Sequence, residues 1–393
     1  MKEKEIIKLT EKYILCTYKR NPVAFVKGKG ASVWSANGKA YLDFFSGLAV
    51  NNLGHCHPAV VNAVKNQAGK LMHTSNLYYT EPQAKLAEKL VKLSFPGKVF
   101  FCNSGAEANE AAIKLARKWG NPKRNEIITM KESFHGRTIT TLTATGQTKY
   151  QRGFQPLASG FKYAAFNELN ALKKLITRRT AAIMMEPIQG EGGVNIASRK
   201  FVRGVRSLCN KKKILLIFDE VQTGIGRTGK MFAFQHYRIT PDILTLAKAL
   251  GGGLPIGAMI AGKKFSGVLQ PGTHASTFGG NPVVCAAACA VLDTIGKEHL
   301  LGNAARMGNY LHKKLQKLKS KYSIVSDVRN KGLMVGVELK IKGTEITKGC
   351  LEKGLLINCT AEKVIRFLPP LNVKKNQIDE AVEIFERVLK HWI

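Results

Sequence analysis

The sequence predicts an α/β fold: a large domain built on a mainly parallel sheet covered by helices, joined to a smaller α+β domain. Three observations carry this. Between Pro58 and about Phe265, helix-like segments alternate with short apolar runs, as strand–helix–strand units do. From His299 the texture changes to a long Lys-rich helix followed by spaced strands. A chain of 393 residues also exceeds what one domain commonly holds, so two or three are expected.

In chain order, residues 1–52 form an N-terminal segment, whose alternating apolar residues over 24–44 are expected to join the small domain. Residues 53–285 form the large domain and 286–393 the small one. In the large domain, strands are expected at 127–130, 181–186, 214–219, 243–246 and 256–261, each short and apolar. Helices are expected at 106–119, 200–209 and about 282–295. A long helix to Lys321, strands at 333–339 and 364–367, and a last helix from Gln377 complete the chain. There are no internal repeats and no low-complexity segments.

Composition narrows the class. Hydrophobic residues make up 45% and charged ones 22%, which suits a globular chain. No apolar run approaches the roughly 20 residues that span a bilayer. Residues 1–20 alternate Lys and Glu with apolar residues and have no small-residue cleavage site, so they are not read as a secretory signal; the expected location is the cytoplasm. The eight cysteines then read as reduced thiols. His55-Cys56-His57 has consecutive ligand types, which suits no zinc geometry, and Cys285 with Cys289 lacks a partner pair; no metal is expected.

Charge is the unusual feature: 61 Lys plus Arg against 27 Asp plus Glu, net +34. A field of this sign attracts nucleic acid, acidic proteins or small anions. The basic residues are spread along the chain in short clusters such as 211–213 and 313–321, with no aromatic-interleaved patch and no nucleic-acid module, so a generally basic solvated surface is expected.

Polar residues at the ends of apolar strands mark where open α/β sheets carry their sites. Asp219 closes the run Ile214 to Phe218, and a carboxylate there needs a cationic partner or caps a loop. Val221 would share its side if the strand continued. Lys248 follows Ile243 to Ala247 and precedes Gly251-Gly252-Gly253. In such apolar company a lysine loses its proton more readily and becomes a nucleophile, unless it snorkels to water. Asn103-Ser104-Gly105-Ala106 follows an apolar run and opens a helix, which makes either an ordinary cap or an anion site of free backbone N–H groups. Gly224-Ile225-Gly226-Arg227-Thr228-Gly229 matches the dinucleotide pattern, with Asp242 near the ribose-carboxylate spacing. The five residues 219–223 between strand and first glycine argue against that reading.

Taken together, the Asp219, Lys248 and Ser104-Gly105-Ala106 segments resemble the class III aminotransferases, of the pyridoxal phosphate fold type I. The likeness runs over nearly the whole chain, from Leu53-Gly54-His55-Cys56-His57-Pro58 through the segments 186–193 and 278–282 to Ile365-Arg366-Phe367-Leu368-Pro369-Pro370. Within that family it is nearest to the branch acting on acetylornithine, notably over 73–82. The resemblance implies a seven-stranded type of sheet and a pyridoxal 5'-phosphate cofactor. Lys248 would join it covalently and move the reaction's proton. Asp219 would hold its ring nitrogen protonated. Phe134 and Val221 would flank the ring, and Gln222 would reach its hydroxyl. Ser104, Gly105 and Ala106 would hold the phosphate, with Thr277 contributing across a homodimer interface.

The same resemblance implies that Arg137, assisted by Ser276, holds the substrate's α-carboxylate, and that Arg366 with Glu191 acts as a switch admitting glutamate or an amine substrate. The expected reaction moves the distal amino group of N2-acetylornithine to 2-oxoglutarate, giving N-acetylglutamate semialdehyde and glutamate, in arginine biosynthesis. Ornithine-type members carry a Tyr where this chain has Leu48, which favours an acylated substrate. Succinylornithine, ornithine, 4-aminobutyrate and an amine masked by an acidic carrier protein stay open as alternatives. So does a basic binding protein on a degenerate transferase fold, although the candidate residues are complete.

Overall fold

Strands buried on both faces read as unbroken apolar runs, and these runs do form one sheet. A computed structural model describes residues 1–392. Its centre is a seven-stranded sheet in the order Gly97–Cys102, Gly257–Gly262, Ile243–Leu246, Leu215–Asp219, Thr180–Met185, Glu126–Met130, Phe161–Ala164. Only Gly257–Gly262 runs against its neighbours; the pairs from Ile243–Leu246 to Phe161–Ala164 are all parallel. The five strands expected from sequence are the inner ones. The two added strands are the edges, Gly97–Cys102 and Phe161–Ala164, whose residues are mostly half-buried and whose apolar pattern is correspondingly weaker.

Helices flank the sheet as their periodicity dictates. Gly105–Gly120 buries Ala108, Ala111, Ala112, Leu115 and Ala116, one stripe at helical spacing with small residues that let it lie close to the strands. The helix expected over 200–209 runs longer, Arg199–Lys212, and stops where Lys213 adopts φ 51°. The Lys-rich helix begins at Leu300, because His299 at φ 54° breaks it from Pro282–Lys297.

Part of the N-terminal segment pairs with a strand near the far end of the chain. Phe25–Lys29, Ser32–Ser35 and Ala40–Asp43 form an antiparallel meander whose last strand pairs in parallel with Leu355–Leu356. A second four-stranded sheet, Val325–Lys331, Met334–Leu339, Val364–Phe367 and Asn358–Thr360, lies against the helices Leu300–Lys321 and Lys375–Leu389.

Arg227, from the glycine-rich decoy motif, ties these parts together. Fully buried, it donates to the carbonyls of Leu333, at 3.1 Å, and Pro369, and to Asn52 Oδ1. Replacing it by Met would strand those acceptors in a dry interior, at about 1–3 kcal/mol each if unrelieved. Arg227→Met is therefore expected to lower the thermal unfolding midpoint by several degrees, measured by calorimetry on the purified protein.

Residues 46–49 form a turn of unusual hand: Ser46, Gly47, Leu48 and Ala49 all have φ between 49° and 67°. Left-handed backbone costs an L-residue roughly 1–2 kcal/mol. The buried Asp43 holds the turn, accepting from the N–H of Phe45 (2.9 Å) and Ser46 (2.8 Å), while His55 Nε2 lies 2.6 Å from its other oxygen. His57 faces elsewhere, capping the helix Pro58–Ala68 through Ala59 N–H, so the His-Cys-His run does not converge. All eight thiols are free, and among the described residues no helix is long and apolar enough to cross a membrane.

Candidate active site

The carboxyl ends of the parallel strands open onto a cavity of about 470 Å3. It is lined by Ser104, Gly105, Ala106, Phe134, Arg137, Glu191, Asp219, Val221, Gln222 and Lys248, ten residues singled out from sequence and drawn from separate strand ends. Open α/β sheets place ligands in this position because the loops that leave the strands converge there.

Asp219 ends the buried strand Leu215–Asp219 and is itself 4% exposed. It meets the cost of burial with hydrogen bonds. Asn109 Nδ2 and His135 Nδ1 each lie 2.7 Å from Oδ2, and Val221 N–H donates to Oδ1 at 3.0 Å. A carboxylate can only accept, so His135 carries its proton on Nδ1. Asn109 is fixed in turn by Thr245 Oγ1, which donates to its Oδ1 at 2.7 Å. Val221 turns back over the helix start: a Cβ on Gly105 would stand 2.7 Å from Val221 Cγ1, so only glycine fits between them.

The helix Gly105–Gly120 points its N-terminus into the cavity. Ser104 caps it, accepting from Glu107 N–H at 3.1 Å, and Glu107 Oε2 accepts from Asn103 N–H at 2.9 Å. The first N–H groups of a helix have no intrahelical partner, so those of Gly105 and Ala106 face the cavity as donors, with the helix dipole behind them. Such a helix start can receive an anion.

Lys248 stands two residues past the strand Ile243–Leu246, in a short 3₁₀ turn, with φ 44°. A left-handed lysine is strained, and such strain concentrates at functional sites. Burial pulls its ammonium below the ordinary lysine range and Arg366 adds to this, against opposition from Glu191, Asp219 and Glu186.

Arg366 lies one layer behind the wall, fully buried. Its Nη1 donates to Glu191 Oε1 at 2.8 Å and to Gln222 Oε1 at 3.0 Å, and its Nε to Asn358 Oδ1 at 3.2 Å. Its Nη2 has no partner among the described residues, so one guanidinium edge is left for an added acceptor. Burial raises the Glu191 proton affinity, but the attraction of Arg366 and Lys248 outweighs it and the carboxylate is held below its ordinary value. Arg137 is exposed at the mouth, its guanidinium 4.2 Å from the Tyr150 ring centroid and 5.4 Å from that of Phe134, and no carboxylate pairs with it among the described residues.

Two expected residues stand apart. Ser276 does not reach Arg137: its hydroxyl receives a bond from Asn103 Nδ2 at 3.1 Å and from Gly279 N–H at 3.1 Å, outside the cavity wall. Thr277 lines a separate surface hollow with His73, Asn76 and Tyr78. Both sit on a loop that runs along the outside of the helix start. Leu48 is half-buried on the left-handed turn, and it is Val50 just beyond that enters the cavity.

Sequence reasoning passed over three residues of the site. Glu186 is buried in the wall, accepting from Phe134 N–H at 3.0 Å and Gly190 N–H at 3.3 Å; burial, reinforced by Asp219, pushes its carboxyl up. The strand-end argument that selected Asp219 applies equally to Glu186, which leaves the strand Thr180–Met185. His135 and Asn109 carry no such signal, since their role comes from where the chain brings Asp219.

The chain matches known proteins in sequence and fold. The family model for aminotransferase class-III covers residues 16–389. The chain is 54% identical to the acetylornithine aminotransferase of Methanocaldococcus jannaschii, over 99% of this chain and 98% of that one. It is 53% identical to the acetylornithine aminotransferase of Caldanaerobacter subterraneus, over 98% and 99%. Among solved structures, the ornithine aminotransferase of Toxoplasma gondii, with pyridoxal phosphate partially occupying its active site, superimposes with a TM-score of 0.96 at 34% identity, over 99% of this chain and 94% of that one. The acetylornithine aminotransferase of Elizabethkingia anophelis does so with a TM-score of 0.89 at 35% identity, both chains fully covered. With its strand-end lysine and carboxylate in one cavity and a family match along almost its full length, this chain belongs to the class-III aminotransferases.

Proposed function

We propose that the chain is a pyridoxal 5'-phosphate enzyme that moves the distal amino group of N2-acetylornithine to 2-oxoglutarate, yielding N-acetylglutamate semialdehyde and glutamate, in the cytoplasm and in the service of arginine biosynthesis. The observation that carries it is the gated guanidinium: Arg366 sits behind Glu191 with one edge unpartnered, while Arg137 waits free at the mouth. A cavity that must take a dicarboxylate in one half of a cycle and a mono-carboxylate amine in the other needs one fixed and one coverable cation.

The residues fit the cofactor. When bound, it supplies an electron-withdrawing ring and an aldehyde that bonds to amines. The N–H groups of Gly105 and Ala106, with Ser104, would hold its phosphate. Asp219, itself held by Asn109 and His135, would keep a proton on the ring nitrogen. Phe134 and Val221 would flank the ring, and Gln222 would meet its hydroxyl. Lys248 would hold the group covalently and then carry a proton to and from the substrate carbon that bears the amine. Arg137 would orient the α-carboxylate of acetylornithine.

We read residues 53–285 as the large domain, and 286–393 joined by 1–52 as the small one. The unit would be a homodimer. Exposed Leu71, Met72, Leu77, Tyr78, Tyr79 and Phe278 give an apolar surface around Thr277, which would then reach the partner's phosphate site, and Ser276 beside it the partner's Arg137. Leu48 supports an acylated amine over free ornithine, and small anions account for both cationic positions without an acidic carrier.

Glu191→Gln tests the gate. With the covering charge gone, Arg366 should favour dicarboxylates: kcat/KM for glutamate relative to acetylornithine is expected to rise about tenfold. A panel of acetylornithine, succinylornithine, ornithine and 4-aminobutyrate reads both this ratio and the preferred amine. An unchanged ratio would remove the switch, and a preference for ornithine or 4-aminobutyrate would remove the substrate assignment.

A further inference from the structure

The end of the sheet opposite the cavity carries charge that the reaction does not use. Three connections lead into neighbouring parallel strands there: the turn 121–125 into Glu126–Met130, the turn 176–179 into Thr180–Met185, and the helix end and turn 211–214 into Leu215–Asp219. Adjacent strands lie about 4.8 Å apart, so the turns form one row roughly 10 Å across. They bring together Lys123 and Arg124, Arg178 and Arg179, and Lys211 to Lys213, which are well separated along the chain. All but the half-buried Arg124 are exposed.

Little balances them. The carboxylate of this row is Glu126, already paired with Lys162 at 2.8 Å and only 3.8 Å from Arg179. No other basic residue of the row has a carboxylate partner among the described residues. The basic run 313–321 shows the contrast. Its Lys314, Lys319 and Lys321 each pair with a carboxylate, namely Asp379, Asp327 and Glu386. Helix ends explain only part of the row. Lys211 and Lys212 complement the last turn of Arg199–Lys212, and Arg124 donates to the carbonyls of Lys212 and Lys213. Arg178 and Lys123 serve no such end.

We propose that this row is a docking surface for the phosphate backbone of a double-stranded nucleic acid, bound without reading its sequence. Protein partners are anchored by apolar and aromatic groups at the centre of the contact, and no large apolar side chain is exposed in these turns among the described residues. A phosphate backbone needs only a line of cations. The row lies away from the cavity, so docking leaves the reaction untouched.

The test uses the full-length protein and a fluorescent DNA duplex of about 20 base pairs, read by anisotropy from about 50 to 300 mM salt. Two triple variants remove equal charge: Arg178→Gln, Lys211→Gln, Lys212→Gln on the row, and Lys313→Gln, Lys317→Gln, Lys342→Gln elsewhere. The row variant is expected to bind at least about tenfold more weakly at 100 mM salt, with a log K against log salt slope shallower by about three, while the other changes less than about threefold. Transaminase activity should match the parent in both. Lysine acetylation footprinting of the parent protein gives a second reading: the duplex should shield Lys123 and Lys211 to Lys213 but not Lys313. Equal losses in both triples, no salt-dependent binding by the parent, or tighter binding to vesicles of anionic lipid than to the duplex would each overturn the proposal.

Discussion

Lys248→Ala should abolish turnover, lowering kcat/KM by on the order of 10^4 or more, because in the proposed function one amine serves both as covalent attachment and as proton carrier. The protein should also lose the yellow colour of lysine-bound cofactor while still binding the free phosphate ester. Methylamine added to this variant supplies a small amine in solution and should restore a fraction of the rate. The position of Lys248 adds a pH signature. Burial disfavours its ammonium form, so its proton affinity lies below the ordinary lysine value of 10.5. Only the neutral amine attacks. The rate at which apo-protein takes up cofactor should therefore rise with pH and level off below that value. A plateau reached only above 10.5 would mean that the amine is solvated and wrongly placed.

Asp219→Asn should be the second most damaging change. Two of the three donors around this carboxylate are side chains whose own positions are fixed: Asn109 by Thr245, and His135 through its backbone N–H, which donates to Thr145 Oγ1 at 2.9 Å. An amide can accept at one end only, so at least one of these donors would face another N–H. It would also carry no charge to keep a proton on the cofactor's ring nitrogen. We expect kcat to fall by about 10^3, with cofactor affinity weakened at least about tenfold by equilibrium titration. Asp219→Glu keeps the charge but lengthens the side chain by one methylene, and should recover part of the affinity and less of the rate. If Asp219→Asn kept more than about a tenth of the parental kcat, the ring-nitrogen role would be untenable.

Much of this was legible in the sequence because strand ends announce themselves. The inner strands are buried on both faces, so their apolar runs are unbroken and whatever polar residue follows stands out, as Asp219 and Lys248 do. The edge strand Phe161–Ala164, with Lys162 exposing its ammonium to Glu126, has no such run. Asn109 sits in mid-helix among alanines and is useful only because Asp219 and Thr245 come to it across the fold; nothing local marks that. Glu186 carries no separate signal, because in the sequence it reads as the last residue of the strand that ends at Met185. The roles of Arg137, Arg366 and Glu191 came from family likeness, and the geometry brings the last two within 2.8 Å while leaving Ser276 outside. Of the basic row only 211–213 stands out in the sequence, because its parts lie far apart along the chain and become neighbours only when the parallel strands align.

The unpartnered Nη2 of Arg366 bears on how easily the enzyme alternates between its two reactants. In the arrangement proposed above, the covered guanidinium keeps one edge that meets no protein acceptor among the described residues. The proposed swing of Glu191 would uncover the rest of the guanidinium, and a carboxylate oxygen of the incoming reactant would take its free edge. Since one chamber serves donor and acceptor in turn, a surplus of either should occupy the form meant for the other, and inhibition by excess reactant is built into the same few atoms.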